Sequence, residues 1–469
     1  MGKPRLNLKD LVGEETKDFM EIMPFHTMRM LEGVRGAAKD ALDRTSLEID
    51  SFQSAWARTL LMCSPMLAMN PFVGGMLRDV DGEDLFDYVD RKNRQMSSFL
   101  ALRAGEFDKE IEKEFGYQFD DGRWVKFAET PRVELWMVRD FSDLKDQVPL
   151  IMIPPMILNP GVLAWEKGKS FVHYLSEREI PVGVIINKDI MTNIPVQDMT
   201  MEEHIMDVRQ VCAEAGRFFG GTQVIMGGYC QGAECSLRAL ATGKLKGVAS
   251  FGLIGVGPID PTDVGTLYDN YHNLPAAITL DDACVTLPSG RKVIHGDKMK
   301  AVIEYGNPEA NNAWSQMLRE LAMCEKGSPS PSTLKLWYWL NRPIHLPYSV
   351  IQLTNLTYQH PITDGVYGYE LFGEKPDLKK LGEYGINSLF VGTAENDTLV
   401  REEASIFLVS LLRSIIDVHP CQYNKGHLGI VRDCVTPGSD EPLDGYSHRG
   451  QEGPVLWYRN KVKRIPLDA

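Results

Sequence analysis

The feature of the sequence that most restricts the fold is a cysteine flanked by glycines, placed between an apolar run and a helix-forming segment. The run covers residues 222–226, and Gly228, Cys230 and Gly232 follow it in the pattern G-x-C-x-G. The residues from 234 to 242 then favour a helix. A side chain at either glycine would collide with the neighbouring strand or helix if the chain turned sharply at the cysteine. The pattern therefore predicts a tight strand-to-helix turn with Cys230 at its apex.

Short apolar runs alternate with helix-forming segments on both sides of this turn. Continuous apolar runs of this kind are typical of strands buried on both faces of a parallel sheet. A G-x-C-x-G turn after such a strand is the nucleophile elbow of the α/β-hydrolase fold, with cysteine in the usual place of serine. We therefore predict an α/β class protein with the α/β-hydrolase fold, whose other strands lie at 133–138, 150–155, 181–186, 248–256, 387–391 and 417–423.

The same alternation divides the chain into regions. Residues 1–125 are rich in helix formers and predict an N-terminal helical region. The strand–helix rhythm covers residues 126–257 and returns over 381–469, so these two parts form the predicted hydrolase core. Between them, residues 258–380 carry proline, glycine and aromatic residues without a regular rhythm. We interpret this stretch as a cap or lid inserted between two strands of the core.

One apolar segment lies in the N-terminal region. Residues 59–77 contain no charged side chain, and a segment of this length could span a bilayer. However, Pro65, Pro71 and Gly74 interrupt the segment. Three interpretations stay open. The segment is a buried helix-turn-helix element, or an apolar surface that meets lipid, polymer or a partner, or a membrane span.

Composition excludes several classes of protein. Apolar residues make up 43% and charged residues 24% of the 469 residues, which is ordinary for a globular protein. The net charge of -14 argues against a nucleic-acid binder. The eight cysteines form no C-x-x-C pair and no zinc-finger spacing, so we expect reduced thiols and no metal or other cofactor. The N-terminus begins with charged residues rather than an apolar leader, which predicts a cytoplasmic protein.

A cysteine at an elbow needs a base and an orienting acid, and they follow the nucleophile in the order acid, then base. Asp397 comes just after an apolar run, and His427 follows the last predicted strand. We therefore predict that Cys230, Asp397 and His427 form a catalytic triad, with Glu395 as the competing choice for the acid. Gly426 is expected to let the loop turn the imidazole towards the elbow.

The oxyanion donors can also be predicted from the chain. One is the backbone N–H of Gln231, directly after the nucleophile. The second usually follows an early core strand, and here Met156 or Ile157 stands after two prolines. The alternative is that these prolines only end the strand. Cys235 lies further into the helix and is interpreted as an ordinary packed thiol.

These motifs together resemble the polyhydroxyalkanoate synthases. The resemblance rests on the Ile153-Pro154-Pro155 turn, the G-x-C-x-G elbow at Cys230, the late Asp397 and the Gly426-His427 pair, and it covers roughly residues 125–435. It implies acyl transfer from a 3-hydroxyacyl-CoA thioester, through an acyl thioester on the cysteine, to a growing polyester. The implied partners are acyl-CoA or polyester and no nucleic acid. Contact with a polymer granule or membrane surface through residues 59–77, and a homodimer, are further expectations.

The sequence departs from the synthase pattern at the elbow and in two loops. Ala233 stands where the family usually has a second glycine, and the loops at 187–191 and 397–401 differ from the forms typical of synthases. Two alternatives to the synthase function therefore stay open. One is a polyester depolymerase or thioesterase with the same triad. The other is a non-catalytic granule- or partner-binding protein built on a hydrolase scaffold.

Overall fold

A computed structural model gives the structure of part of the chain. It describes residues 85–114, 119, 122–156, 160–165, 170–260, 280–298, 300, 313–325, 329–432 and 441–468. The predictions for the apolar segment at 59–77 and for most of the N-terminal helical region lie outside these residues. None of the described helices combines the length and the apolar character that crossing a bilayer requires.

The chain divides into two compact units, residues 1–92 and 93–469. Of the first unit the structure describes residues 85–92, which belong to helix α1 (Leu85–Arg103). In the second unit, helix α2 (Asp108–Glu114) precedes an eight-stranded sheet.

The central sheet contains most of the predicted strands. Its members are β1 (Trp124–Glu129), β2 (Val133–Val138), β3 (Leu150–Ile153), β4 (Val182–Asn187), β5 (Val224–Tyr229), β6 (Ala249–Gly255), β10 (Ser388–Ala394) and β11 (Asp417–Tyr423). A separate antiparallel sheet consists of β7 (Cys284–Thr286), β8 (Lys292–Ile294) and β9 (Leu346–Pro347).

The strand order of the central sheet identifies the fold. It runs β1-β2-β4-β3-β5-β6-β10-β11. Strand β2 pairs antiparallel with both β1 and β4, and the remaining pairs are parallel. A mostly parallel sheet with helical crossovers and a sharp turn after its central strand is the α/β-hydrolase fold. The fold predicted from the sequence is confirmed.

Helices lie between successive strands of the core and after the last one. Those between strands are α3 (Phe171–Ser176), α4 (Ile194–Gln197), α5 (Met201–Phe218), α6 (Gln231–Ala241) and α10 (Glu403–Leu412). Helices α11 (Gly429–Arg432) and α12 (Pro454–Lys461) follow β11. Helix α5 shows why such segments begin where they do. The Thr200 hydroxyl accepts from the backbone N–H of Glu203, and the Glu203 carboxylate accepts from the backbone N–H of Thr200, which is a capping box.

The region predicted as an insertion does lie between two core strands, β6 and β10. It contains the small sheet and the helices α7 (Ala313–Met323), α8 (Pro331–Asn341) and α9 (Tyr348–Gln359). Helix α9 reaches the elbow, where Nε2 of Gln231 lies 3.4 Å from Oγ1 of Thr354. The insertion therefore contacts the helix that follows Cys230, and its role as a cap stays a prediction.

The sequence pattern missed two elements of the core. The stretch that ends at Trp124 reads as a turn, yet strand β1 begins at this residue. Helix α12 follows the last predicted strand, and its Trp457 is fully buried with its indole N–H donating to the Ser388 hydroxyl at 2.9 Å.

Candidate active site

Cys230 lies at the turn between β5 and α6 with strained backbone angles. Its φ is 53° and its ψ is -127°, a conformation that a residue with a side chain seldom adopts. Its N–H donates to the carbonyl of Gly255 at 2.8 Å, and its own carbonyl accepts from Ala233 at 2.9 Å. The surrounding hydrogen bonds therefore hold the thiol at the start of the helix, where the macrodipole favours negative charge.

The two elbow glycines are required by their surroundings. A Cβ on Gly228 would come within 2.1 Å of the Gly232 carbonyl oxygen, and a Cβ on Gly232 within 2.0 Å of the Ile153 carbonyl oxygen. These atoms belong to backbone, which cannot move aside cheaply. The collision predicted from the sequence is present at both positions.

The structure brings the predicted acid and base together. His427 Nδ1 lies 2.6 Å from Asp397 Oδ2, and the Asp397 side chain is fully buried. The other carboxylate oxygen accepts from the backbone N–H groups of Leu399 at 2.9 Å and Val400 at 3.0 Å. A carboxylate held by two main-chain donors has a fixed orientation, so it also fixes the imidazole that it binds.

The Cys230 side chain also interacts with the imidazole, and it is among the groups that raise the pKa of His427. Because Nδ1 faces Asp397, the ring has Nε2 left for the sulfur. Burial disfavours the imidazolium, but the negative charge of the sulfur and the hydrogen bonds from Asp397 and Cys230 outweigh it, and they raise the pKa of His427 to about 10. The arrangement therefore keeps a proton on the imidazole at neutral pH.

Gly426 does not have the role that the sequence suggests. Its backbone is outside the left-handed region, and a Cβ there would have only the Asn396 carbonyl oxygen nearby, at 3.6 Å. The approach of the imidazole to the elbow is therefore set by the rest of the loop and not by the freedom of this glycine.

The predicted second oxyanion donor is already engaged. The Met156 N–H donates to Oε1 of the Gln231 side chain at 2.9 Å, and Met156 is buried. This N–H is paired with the Gln231 amide oxygen, and its role as an oxyanion donor stays a prediction. Ile157, the other candidate, lies outside the described residues. The glutamine amide was not foreseen, because the sequence does not reveal that the turn after β3 packs against the start of α6.

The competing acid, Glu395, faces a different histidine. Its Oε1 lies 3.1 Å from His448 Nε2 and 2.5 Å from Arg449 Nε. Nδ1 of the same histidine lies 2.6 Å from Oε1 of Glu441. Glu395 is therefore part of a network of charged side chains separate from the Asp397–His427 pair.

Cys235, a thiol within helix α6, has a different environment. Burial, joined by the nearby Cys230 charge, raises the pKa of Cys235 to about 12, which agrees with its interpretation as a packed thiol. Among the residues that the structure describes, no group of three His, Cys, Asp or Glu side chains is arranged to hold a metal ion.

Comparisons with known proteins found only weak structural likenesses, among them to esterases. No family model matches the sequence, and no curated protein does. Similar solved structures include a protein from Burkholderia cenocepacia provisionally named an aryl esterase (10% identity, TM-score 0.37, 66% of this chain and 93% of that one). Esterases of Pyrococcus furiosus (11%, 0.32, 68% and 84%) and Pyrobaculum calidifontis (13%, 0.33, 73% and 85%) are also similar. Because these likenesses are weak, the assignment to the α/β-hydrolase fold rests on the strand order and the elbow.

Proposed function

We propose that this chain is a hydrolase that cleaves acyl thioesters or esters through a covalent intermediate on Cys230. The observation that carries the proposal is the placement of a cysteine at a strained elbow beside an imidazole that a buried carboxylate holds. A nucleophile beside a base that a carboxylate orients is the arrangement that nucleophilic catalysis needs.

In the proposed mechanism the first half of the reaction starts from a Cys230 thiolate and a His427 imidazolium, which together form an ion pair. The Cys230 thiolate attacks the acyl carbonyl, and the backbone N–H of Gln231 stabilises the oxyanion that forms. When the tetrahedral intermediate collapses, the leaving thiolate or alkoxide takes the proton from the His427 imidazolium. The products of this step are an acyl-cysteine, a neutral imidazole and the free thiol or alcohol.

The second half regenerates the enzyme. Neutral His427 accepts a proton from a water molecule, and the resulting hydroxide attacks the acyl-cysteine. Collapse of the second tetrahedral intermediate breaks the carbon–sulfur bond and releases the carboxylic acid. Cys230 returns to the thiolate and His427 keeps the proton, so the ion pair forms again without a cofactor.

A second candidate is an acyltransferase of the polyhydroxyalkanoate synthase type. The cysteine nucleophile and the Ile153-Pro154-Pro155 turn favour it, because a thiolate exchanges readily with a CoA thioester. In that reaction His427 would activate the hydroxyl of a second acyl group instead of water. The loops at 187–191 and 397–401 depart from the synthase pattern, which is why we place hydrolysis first.

Product analysis with 3-hydroxybutyryl-CoA distinguishes the two reactions. Free CoA with 3-hydroxybutyrate supports the hydrolase, whereas free CoA with polymer supports the synthase. A panel of acyl-CoA thioesters and p-nitrophenyl esters extends the test to other acyl groups. If none is turned over, the proposal fails and the non-catalytic, granule- or partner-binding function becomes the better account.

Two variants assign the activity to one sulfur atom. Cys230→Ala should abolish turnover. Cys235→Ala, five residues further along the same helix and fully inside the core, should leave turnover unchanged if the variant folds. Equal losses in both variants would contradict the role given to Cys230.

A further inference from the structure

The residue directly before the cysteine contacts the loop that carries the base. Tyr229 is the last residue of β5, and only 2% of it is exposed. Its hydroxyl donates to the main-chain carbonyl of His427. The two rings lie 6.0 Å apart between centroids and are tilted by 60°. The nucleophile is therefore joined to the main chain that carries the base through Tyr229, the last residue of β5, which directly precedes Cys230.

The strand next to β5 provides the space for this tyrosine. A Cβ on Gly255 would lie 2.9 Å from the Cδ2 atom of the Tyr229 ring. The carbonyl of the same glycine accepts the N–H of Cys230 at 2.8 Å. Gly255 thus supports both the backbone of the cysteine and the ring of the tyrosine, and any residue larger than glycine would displace the ring.

We propose that Tyr229 is a positioning residue that sets the distance between the His427 imidazole and the Cys230 sulfur. The inference rests on the proposed function. Asp397 orients the imidazole through its ring nitrogen, whereas Tyr229 holds the main chain from which that ring extends. The loop that carries His427 is also held at Lys425, two residues earlier, where the carbonyl accepts from the Asn396 N–H at 3.0 Å.

Removing the hydroxyl should loosen the ion pair without unfolding the protein. A displacement of about 1 Å at a reacting group costs up to about 100-fold in rate. We therefore expect Tyr229→Phe to lower kcat about 10-fold and to change KM by less than about twofold, since substrate contacts are retained.

The pH dependence of alkylation gives a readout that does not require turnover. Iodoacetate is an anion, so the imidazolium attracts it, and its reaction with Cys230 slows when His427 loses its proton. Two ionisable side chains raise the pKa of His427, and these are Cys230 at the elbow and Asp397 after β10. In the wild type the alkylation rate should fall near about pH 10, and in Tyr229→Phe this fall should occur at least about one pH unit lower, because a more distant sulfur stabilises the cation less.

A second tyrosine provides a matched control. The Tyr458 hydroxyl donates to the Val148 carbonyl at 2.9 Å and accepts from the Val148 N–H at 3.1 Å, so Tyr458→Phe also removes a buried hydroxyl bound to backbone. This variant should retain the wild-type alkylation profile. Gly255→Ala is the second test variant, because it displaces the Tyr229 ring and should shift the profile in the same direction.

The outcomes separate this inference from the proposed function. A wild type without a His427-dependent fall in alkylation would contradict the proposed function. A wild type with that fall, and a folded Tyr229→Phe with the same profile, would overturn only the positioning role. An equal shift in Tyr458→Phe would also overturn it, because the effect would then be one of general stability.

Discussion

Two carboxylate–histidine pairs are anchored in one loop of this protein, and they differ in almost every other respect. Asp397 binds His427, and Glu395, two residues earlier, binds His448. The Asp397 side chain is fully buried, while 20% of the Glu395 side chain is exposed. Similar chemical groups at neighbouring positions therefore have very different surroundings.

The partners of the two acids explain their different chemistry. The second oxygen of Asp397 accepts from two backbone N–H groups, and its histidine faces the sulfur of Cys230. Glu395 also binds the guanidinium of Arg449, and Glu441 holds the other nitrogen of its histidine. An arginine that binds the same carboxylate as a histidine offsets the negative charge of that carboxylate. A carboxylate that binds one imidazole and no other cation can stabilise the protonated form of that imidazole. A carboxylate–histidine pair alone therefore does not mark a candidate active site. What distinguishes the two pairs is the further partner, which is the sulfur of Cys230 in one and charged side chains in the other.

The largest expected difference concerns the two histidines. His427→Ala should lower kcat/KM by at least about 10³-fold, because it removes both the proton acceptor and the cation beside the sulfur. His448→Ala should stay within about threefold of the wild type. Steady-state kinetics on the best thioester or ester substrate measures both. Comparable losses would mean that the comparison assigns the roles wrongly.

The amide variants of the two acids should also differ strongly in kcat. Asp397→Asn leaves the shape of the site but lets the amide bind the wrong imidazole tautomer, so kcat should fall by about 10²- to 10⁴-fold. Glu395→Gln should change kcat by less than about threefold, since its histidine does not face the sulfur. A large loss in Glu395→Gln, with Asp397→Asn nearly unaffected, would transfer the role of acid to Glu395.

The alanine variants of the two acids should also differ in their free energy of unfolding, which can be measured independently of activity. Asp397→Ala leaves one buried and one partly buried N–H group without their acceptor and should lower the free energy of unfolding by about 2–3 kcal/mol. Glu395→Ala removes a partly exposed ion pair and should cost about 1 kcal/mol or less. Urea denaturation followed by tryptophan fluorescence measures both values, and a larger loss for Glu395→Ala would argue against the burial difference.

The smallest expected effect is the pH dependence between neutral and alkaline solution. Because the pKa of His427 is raised to about 10, the imidazolium is present below that pH and is lost above it. The rate of acylation, measured from the burst of released thiol or alcohol, should therefore change little from about pH 7 to 9 and should decline above about pH 10. A decline centred near the ordinary histidine value would mean that the sulfur does not stabilise the cation.

The sequence was sufficient to predict the fold and the residues that meet at the elbow. Parallel strands end at the same edge of a sheet, so residues that follow late strands, such as Asp397 and His427, come close to a turn such as that at Cys230. The glycines at 228 and 232 were predictable for a similar reason, since the close approach of backbone at a sharp turn follows from local geometry.

The side-chain contacts between segments far apart in the chain could not be predicted from the sequence. The bond from the Met156 N–H to the Gln231 amide, and the bond from the Tyr229 hydroxyl to the loop of His427, join segments far apart in the chain. No local pattern encodes which loop packs against which. Strand β1 was missed because it lies at the sheet edge and pairs antiparallel, so it lacks the continuous apolar run of its buried neighbours.

The central claim is that one sulfur atom, at Cys230, is activated by His427. Burial raises the pKa of Cys212 and Cys235 to about 12 and that of Cys421 to about 11, so these thiols are slow to react near neutral pH. The most direct measurement is labelling of the folded protein with limiting iodoacetamide, followed by peptide mass spectrometry, in wild type and His427→Ala. The account predicts that the label enters Cys230 first and that its rate falls sharply in the variant. Slow labelling of Cys230 that does not depend on His427 would contradict it.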